Sequence, residues 1–560
     1  MSRLAIALDI GTSGIRGQAI DLSSGEILST AITTRHPLPG ANVMDHLHFA
    51  LELGVETANN ILIQAINRVI GALRVKKADV QRLGVCGNPI QLSLFQGIEV
   101  RDLAYAGARK LKLLGIVPPS RKAAIIPAKA ILGLNLPKDC DVVIPPAVRH
   151  EVGADAMAMM IQTGVLEREE TAMATDFGTN AEVALFHDGA IFTGSTAAGP
   201  ALEGQQITCG MLAVPGAVSD LEPAEDYHRL VVLDREMFPV PGSVVDLREK
   251  RSMGEADGTR PIGITGTGVI ALISQAMEAG LIALPRINTP DGRLHLGRDI
   301  FLTEGDLREA GKAIGAVRAG HITLCCEAGI TPADIRIAYM SGASGTYVDA
   351  IKAQKLGMIP PCLERVYQVG NTSLAMAGDL ACKPKTLNMM ADLGDRLKKS
   401  HCMFAASKIF QKIFILELSH WNEGMPMTQY RRFMNKYGLP NLPQVSGRPE
   451  VIRTVKRDIN DLGKMGLTII TDIGRKIGLQ VEGCDSCKQC VRECPEKAIS
   501  MKADTDPITL ILDESLCNGV ACRRCERVCP EKVFQLDRFF RHASAGHDAR
   551  PGTSPCRYSE

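Results

Sequence analysis

The chain opens on two short runs rich in β-branched and aliphatic residues, LAIALDI and GQAID, separated by a polar, glycine-bearing turn. From Leu51 to Leu73 the apolar positions instead recur at helical spacing. Strand-like runs and longer helical patterns then alternate as far as Cys484, which predicts an α/β fold. One internal echo stands out. Asp9-Ile-Gly-Thr-Ser-Gly returns 167 positions later as Asp176-Phe-Gly-Thr-Asn-Ala, and each copy lies after a β-like run (LAIAL, TAMAT) and before another (GQAID, EVALF). Each therefore reads as strand, tight turn, strand, and the pair predicts two related halves facing each other. A boundary is expected near Leu393 to Ser400, ahead of a segment, Met403 to Leu479, that mixes helical runs with the turn-rich GLPNLPQVSGRPE. From Arg541 onward Gly, Ser, Pro and Ala dominate, so a disordered tail is expected.

Composition narrows the class. A chain of 560 residues exceeds one core, and about 150 residues per domain predicts three or four units. With 45% hydrophobic and 22% charged residues the chain is globular in type. Its 63 basic and 62 acidic residues leave no global field to hold a polyanion, so nucleic acid is not expected as a partner. The N-terminal apolar run is cut by Asp9 and no long apolar stretch follows, so neither a secretory signal nor a membrane span is expected and the protein should be cytoplasmic. In that reducing compartment 17 cysteines point to metal binding or burial and not to disulfides.

Eight of them lie between Cys484 and Cys529; the other nine, among them Cys86, Cys140, Cys209, Cys325, Cys326 and Cys402, lack ligand spacing and are expected in the core. Cys484-x2-Cys487-x2-Cys490-x3-Cys494-Pro is the bacterial ferredoxin run, and Cys517-x4-Cys522-x2-Cys525-x3-Cys529-Pro is a near copy. In such pairs three thiolates of one loop cap a cubane and the fourth cysteine ligates the other cluster. This assigns Cys484, Cys487, Cys490 and Cys529 to one [4Fe-4S] cluster and Cys517, Cys522, Cys525 and Cys494 to a second. Paired C-x2-C motifs also bind zinc, but two full four-cysteine runs each ending in Cys-Pro favour the clusters. Seven basic and eight acidic residues between Cys484 and Pro530 leave the docking charge of this module open.

The two D-x-G-T turns carry nucleotide chemistry. Gly11 admits a ligand close to the backbone, Thr12 and Ser13 add hydroxyls, and Asp9 can hold Mg2+ through water. The second turn repeats this with Asp176, Gly178 and Thr179, and adds Asn180 and Glu182. An ordinary hairpin explains either turn alone; the matched pair favours nucleotide. Two further glycine-rich turns, Gly263-Ile-Thr-Gly-Thr-Gly with Gly266 and Gly268, and Ser341-Gly-Ala-Ser-Gly with Gly342 and Gly345, suit phosphate or adenosine contact, or equally close helix packing. Neither has P-loop or Rossmann spacing.

Asp9 to Arg16 resembles the first phosphate motif, and Asp176 to Glu182 the second, of the superfamily of acetate kinases, sugar kinases, heat-shock chaperones and actin. The resemblance implies two RNase H-like lobes clamping ATP. Cys86-Gly-Asn-Pro with Gln91-Leu-Ser-Leu, Ser195 to Gly204, Gly263 to Gly268, Lys312 to Gly320 and Ser341 to Tyr347 are similar to the reductive activators of corrinoid proteins. The C-terminal cluster cysteines and Arg35-His-Pro-Leu-Pro-Gly-Ala-Asn-Val-Met-Asp-His46 narrow the resemblance to the reductive activases of methylamine methyltransferase corrinoid proteins. The implied plan is a first RNase H-like lobe at 1–150, a second at 151–398, a connector at 399–475, a ferredoxin-like α+β domain at 476–538 and a tail at 539–560. Asp9 and Asp176 become the catalytic carboxylates, and ATP, Mg2+ and two [4Fe-4S] clusters the cofactors. The implied activity is ATP-dependent reduction of Co(II) corrinoid to Co(I), served by a corrinoid protein partner and an upstream low-potential electron donor. A shortfall of roughly 100–200 mV in that one-electron step costs about 2–5 kcal/mol, within reach of ATP turnover. The coupling is expected to act on the acceptor. The alternatives are a small-molecule kinase with Asp176 as general base and a regulatory cluster domain, an ATP-driven activator of another low-potential enzyme, and an actin-like scaffold with a redox sensor.

Other residues read as structural. His46 and His48 are expected to line a partner surface or stand beside a helix cap at Asp45 rather than bind metal. Trp421, the sole tryptophan, is expected to anchor one domain on another, and Met157 to Met160, Met389 and Met390 to fill core.

Overall fold

The structure, a computed structural model, describes residues 3–545 apart from 106, 149–151, 179, 197–198, 255–259, 399, 446 and 503. The run Leu4–Ile10 is buried at all seven positions, as a strand covered on both faces must be. It lies centrally in a seven-stranded sheet in the order Leu467–Ile470, Ile27–Thr33, Ile15–Asp21, Leu4–Ile10, Val80–Gly87, Asp141–Ile144, Ala124–Pro127. The second lobe repeats the plan with six strands: Glu450–Arg453, Arg365–Gly370, Ile337–Ser341, Ala172–Phe177, Ala181–His187, Ala190–Thr196. In both lobes the first strands form an antiparallel meander and the next ones pair in parallel. The echo read from the sequence is therefore structural: each D-x-G-T turn joins the first two strands of a lobe. A five-stranded insert, from Ala217–Ala224 to Gly263–Ile264, decorates the second lobe.

The helical stretch expected over Leu51 to Leu73 is two helices, α1 (Val43–Leu53) and α2 (Val55–Ala72), parted at Gly54, whose φ of +95° a residue with a side chain rarely adopts. A third helix, α3 (Pro89–Gln96), starts at Asn88, whose side chain accepts from the amides of Ile90 and Gln91.

Three expected boundaries move. The helix Thr372–Cys382 follows a second-lobe strand yet packs on the first lobe, so closely that a Cβ on Gly84 would meet the Ala377 carbonyl at 2.1 Å. The connector expected at 399–475 is not a separate unit. Glu450–Arg453 pairs with Arg365–Gly370 and extends the second sheet, while Leu467–Ile470 pairs with Ile27–Thr33 and extends the first. Both strands satisfy sheet edges that would otherwise present open hydrogen-bonding groups. The helix Lys408–Glu423 lies along Glu304–Ala328, locked by fully buried Glu417 against Arg318 at 2.7 and 2.5 Å. Trp421 is buried on Gly311 of that partner helix, so it anchors this helix on the lobe.

The tail also starts later than expected. The helix Leu536–Ala545 buries Phe539 and Phe540, and residues from 546 onward lie outside those described. The C-terminal domain has a three-stranded sheet in the order Lys476–Val481, Ile508–Asp513, Ile499–Lys502, and it sits on the first lobe. Phe540 meets Phe49 of α1 edge-on at 4.9 Å, Arg68 of α2 donates to the Ile473 carbonyl at 3.0 Å, and Arg523 pairs with Glu52. One hydrophobic core runs from the first sheet into this domain. Among the described residues no helix is long and apolar enough to cross a membrane.

Candidate nucleotide and cluster sites

The hairpin register places Asp9 opposite Arg16 in the first lobe and Asp176 opposite Glu182 in the second. The two turns thus carry the same aspartate against partners of opposite charge. In the first, the Arg16 guanidinium lies 3.3 Å from Asp9 and 3.4 Å from Asp458, and the Asn371 amide donates to Asp9 at 2.9 Å. Gly11 closes the turn onto the Gly14 carbonyl at 3.1 Å. Thr12 accepts from the Asn88 amide at 3.2 Å, and Ser13 donates to Glu203 and accepts from Gln205 at 3.0 Å. The Ser13 contacts with Glu203 and Gln205 join the lobes across the cleft.

Asp9, Gly11, Thr12, Arg16, Asp155, Asp176, Gly178, Asn180, Glu182 and Gly342 line one cavity of about 90 Å3. It shares Arg16 and Glu203 with a second of about 60 Å3 lined by Thr265, Gly266, Thr267, Ser344 and Tyr347. Thr179 lies outside the described residues. Burial, with Asp155 alongside, pushes Asp176 up to about 7; burial raises Asp155 to about 6; and burial with Asp155 and Asp176 near it lifts Glu182 well above the carboxylate range. Asp9 is raised by burial against the opposing pull of Arg16. One guanidinium does not neutralise this many carboxylates, and the donor set is the hard oxygen chemistry that suits Mg2+ carrying its own water. Among the described residues no three such side chains close directly on one ion.

Asp155, Asn371 and Asp458 carried no sequence signal. Asp155 stands alone in the first turn of Ala154–Thr163, Asn371 reads as a helix cap, and Asp458 lies in the stretch taken for a connector. Asn88 and Glu203 fall in stretches quoted above but without a role. The glycines divide. Gly342, at φ +79°, would set a Cβ 2.4 Å from the Asp176 carboxylate, so this turn reaches the phosphate-side cavity. Gly345 packs on Met340, whereas a Cβ on Gly266 or Gly268 would fall 1.9 or 2.4 Å from the carbonyls of Leu202 and Val218. Close helix packing, the other reading offered for these turns, accounts for all three.

The C-terminal cysteines gather in two sets. Burial, and then the thiols of Cys484, Cys487 and Cys529, push Cys490 up to about 11; burial raises Cys517 to about 12, with Cys494 and Cys522 adding to it. Cys494, Cys517, Cys522 and Cys525 also line one small cavity of about 20 Å3. The fourth cysteine of each run therefore stands with the other run's first three. Left-handed residues recur at matching places in the two runs, Lys488 with Arg523 and Lys497 with Lys532. Backbone amides of Ala498 and Gly519 point at the sulfurs of Cys494 and Cys517, each at 3.2 Å. Two complete quartets, each taking its fourth thiol from the other run, fit a pair of multi-iron clusters. Of the other cysteines, Cys86, Cys140 and Cys325 are buried and Cys209, Cys326, Cys362, Cys382 and Cys402 half-buried.

Residues 4–168 match the model described as the RACo middle region, 170–431 that described as the C-terminal domain of RACo, the ASKHA domain, and 483–533 the 4Fe-4S dicluster domain. The chain is 46% identical over 497 residues, 89% of its length and 92% of the other protein, to "[Co(II) methylated amine-specific corrinoid protein] reductase" of Methanosarcina barkeri. The chain belongs to the reductive activators of corrinoid proteins. It is also 26% identical, over 63% of its length and 60% of the relative, to "Corrinoid activation enzyme RamQ" of Eubacterium limosum. Its fold is that of the solved "Reductive activator for corrinoid,iron-sulfur protein", with a TM-score of 0.62 at 24% identity over 74% of this chain and 66% of that one. This activator is thus an ATP-binding actin-type protein with a two-cluster ferredoxin domain at its C-terminal end.

Proposed function

We propose that this activator couples ATP hydrolysis to one-electron reduction of the Co(II) corrinoid of a methylated-amine-specific corrinoid protein to Co(I), restoring it for methyl transfer. The two clusters supply one-electron equivalents at low potential when bound. The observation that carries the reading is that the domain bearing both cysteine quartets is seated on the same lobe as the first phosphate turn, in a chain 46% identical to a Co(II) corrinoid protein reductase. Asp9 and Asp176 would hold Mg2+ through water, and Thr12, Ser13, Arg16, Gly178 and Asn180 would contact the phosphates. Asp176 accepts the proton of the water that attacks the γ-phosphorus as ADP leaves. Cys484, Cys487, Cys490 and Cys529 hold one cluster and Cys494, Cys517, Cys522 and Cys525 the other. Electrons reach them from an upstream low-potential donor.

The kinase alternative is not favoured: a regulatory role would not require two complete quartets, and the curated relatives are named as corrinoid activators. The test is to mix anaerobically reconstituted protein, reductant and Co(II) corrinoid protein and to follow the Co(I) absorbance with and without Mg·ATP. Equal rates without ATP, or no Co(I) with any methylamine-system corrinoid protein, would overturn the reading.

A further inference from the structure

A short chain of contacts runs from the nucleotide turn to the loop that carries Cys517. Thr12 accepts from the Asn88 amide at 3.2 Å, and the other end of that side chain caps α3 by accepting from Ile90 and from Gln91 at 2.9 Å. Within the same helical turn, the Gln91 amide lies 2.7 Å from Nδ1 of His46 in α1. His46 is fully buried, so it lines no partner surface, and its ring stacks on that of His36 at 4.2 Å; His48, two residues on, is exposed. Gly40, in the loop between the stacked rings, donates its amide to the carbonyl of Cys517 at 3.0 Å.

Packing makes this route stiff. At Gly40, φ +128°, a Cβ would fall 2.4 Å from Asp45 and 3.3 Å from the His46 ring, so loop and helix move as one. On the other side of the contact Pro39 lies against Gly519, whose amide is 3.2 Å from the Cys517 sulfur. Displacing the loop therefore alters a hydrogen bond to a ligating sulfur, one of the levers that set a cluster's potential. At its middle the route is not fully tied. Gln91 Oε1 and Nε2 of both histidines are buried without a partner among the described residues, and Gln91 stands within reach of both rings. Gln91 thus bridges α3 to both rings of the stacked pair.

Resting on the function proposed above, we infer that Gln91 and His46 are positioning residues that transmit nucleotide state from Thr12 to the cluster held by Cys517, Cys522, Cys525 and Cys494, which makes that cluster the ATP-responsive one. The first cluster's loop, Cys484 to Cys490, has no corresponding contact with the nucleotide turn among the described residues. Of the other ties between this domain and the lobe, Phe540 and Arg523 meet Phe49 and Glu52 of α1 itself, whereas the one from Arg68 to Ile473 lies off the route.

The holoprotein is titrated anaerobically by EPR with and without Mg·ATP, the signals being assigned by their change in Cys522→Ser protein. The expected result is a change of about tenfold in the oxidised-to-reduced ratio of the second cluster at fixed potential, about 59 mV for one electron, with the first cluster unmoved. Gln91→Leu should keep its iron content and Mg·ATP affinity but lose the shift, and Arg68→Gln should keep it. Should Gln91→Leu fail to fold, amide exchange of wild type serves instead: Mg·ATP should slow residues 36–46 and 515–522 more than 484–490. A shift confined to the first cluster, an unchanged shift in Gln91→Leu, or uniform exchange would overturn the inference. Co(I) formation is measured in the same samples. Wild type inactive with every corrinoid protein defeats the proposed function, whereas ATP-dependent Co(I) with an unchanged shift in Gln91→Leu defeats this inference alone.

Discussion

Replacing Asp176 with Asn should stabilise the nucleotide-free protein while removing its ATP-dependent activity. The Asp176 carboxyl stands near 7 against an ordinary 3.8, because burial and then Asp155 disfavour its charge. Between those two values the unfolded chain sheds the proton and the folded protein keeps it, so the folded state loses stability as pH rises, and above the folded value the loss is complete. At about 1.4 kcal/mol per pH unit the full effect is about 4 kcal/mol, and sharing of the proton with neighbouring carboxylates brings it to about 2–4. An unfolding entropy of about 2.1 cal/mol/K per residue over roughly 400 residues makes that a Tm gain of roughly 3–5 °C for Asp176→Asn at high pH. The assay is anaerobic thermal unfolding in EDTA from about pH 5.5 to 8.5, wild type beside variant, with circular dichroism as the readout. The gap should widen by about 1.4 kcal/mol per pH unit up to neutrality and then stay level. Parallel curves across that range, or a variant less stable than wild type at the alkaline end, would refute the electrostatic account of the site.

Cys494→Ser should damage the cluster of Cys517, Cys522 and Cys525 and spare the one held by its own run's first three thiols; iron content and EPR would show instead the loss of the Cys484 set if the runs did not exchange ligands. Gly342→Ala, with φ at +79° and a Cβ 2.4 Å from Asp176, should weaken Mg·ATP binding measured by calorimetry and leave cluster content unchanged. Glu417→Leu strands the buried Arg318 guanidinium and should cost about 3–5 kcal/mol, read as a lowered unfolding midpoint. Phe540→Ala removes the ring that meets Phe49 and should cost about 3–5 kcal/mol, loosening the cluster domain so that limited proteolysis separates it from the lobe.

Spacing and repetition were enough for much of this. Cysteines with only two to four residues between them, in two successive runs, fix which thiols one loop can bring together, because such short loops leave few geometries; the same holds for a D-x-G-T turn between two strand-like runs. Those are local properties, and the chain displays them. What the sequence could not display is which distant elements share a surface. Asp155, Asn371 and Asp458 come from three separate segments and act on Asp9 and Asp176 only because the sheets and the helix Thr372–Cys382 fold back across the cleft. The strands taken for a connector join sheet edges far earlier in the chain, Arg365–Gly370 and Ile27–Thr33, and the pattern of a short strand does not name its partner. Phe539 and Phe540 in a polar tail became core for the same reason: burial there is decided by the α1 surface they meet. The sequence alone determined the chemistry of the ligands and turns, since that follows from residue type and spacing. Only the tertiary structure decided how the nucleotide turn and Cys517 come to be joined through Asn88, Gln91 and His46, since contact across long chain separations is set by packing.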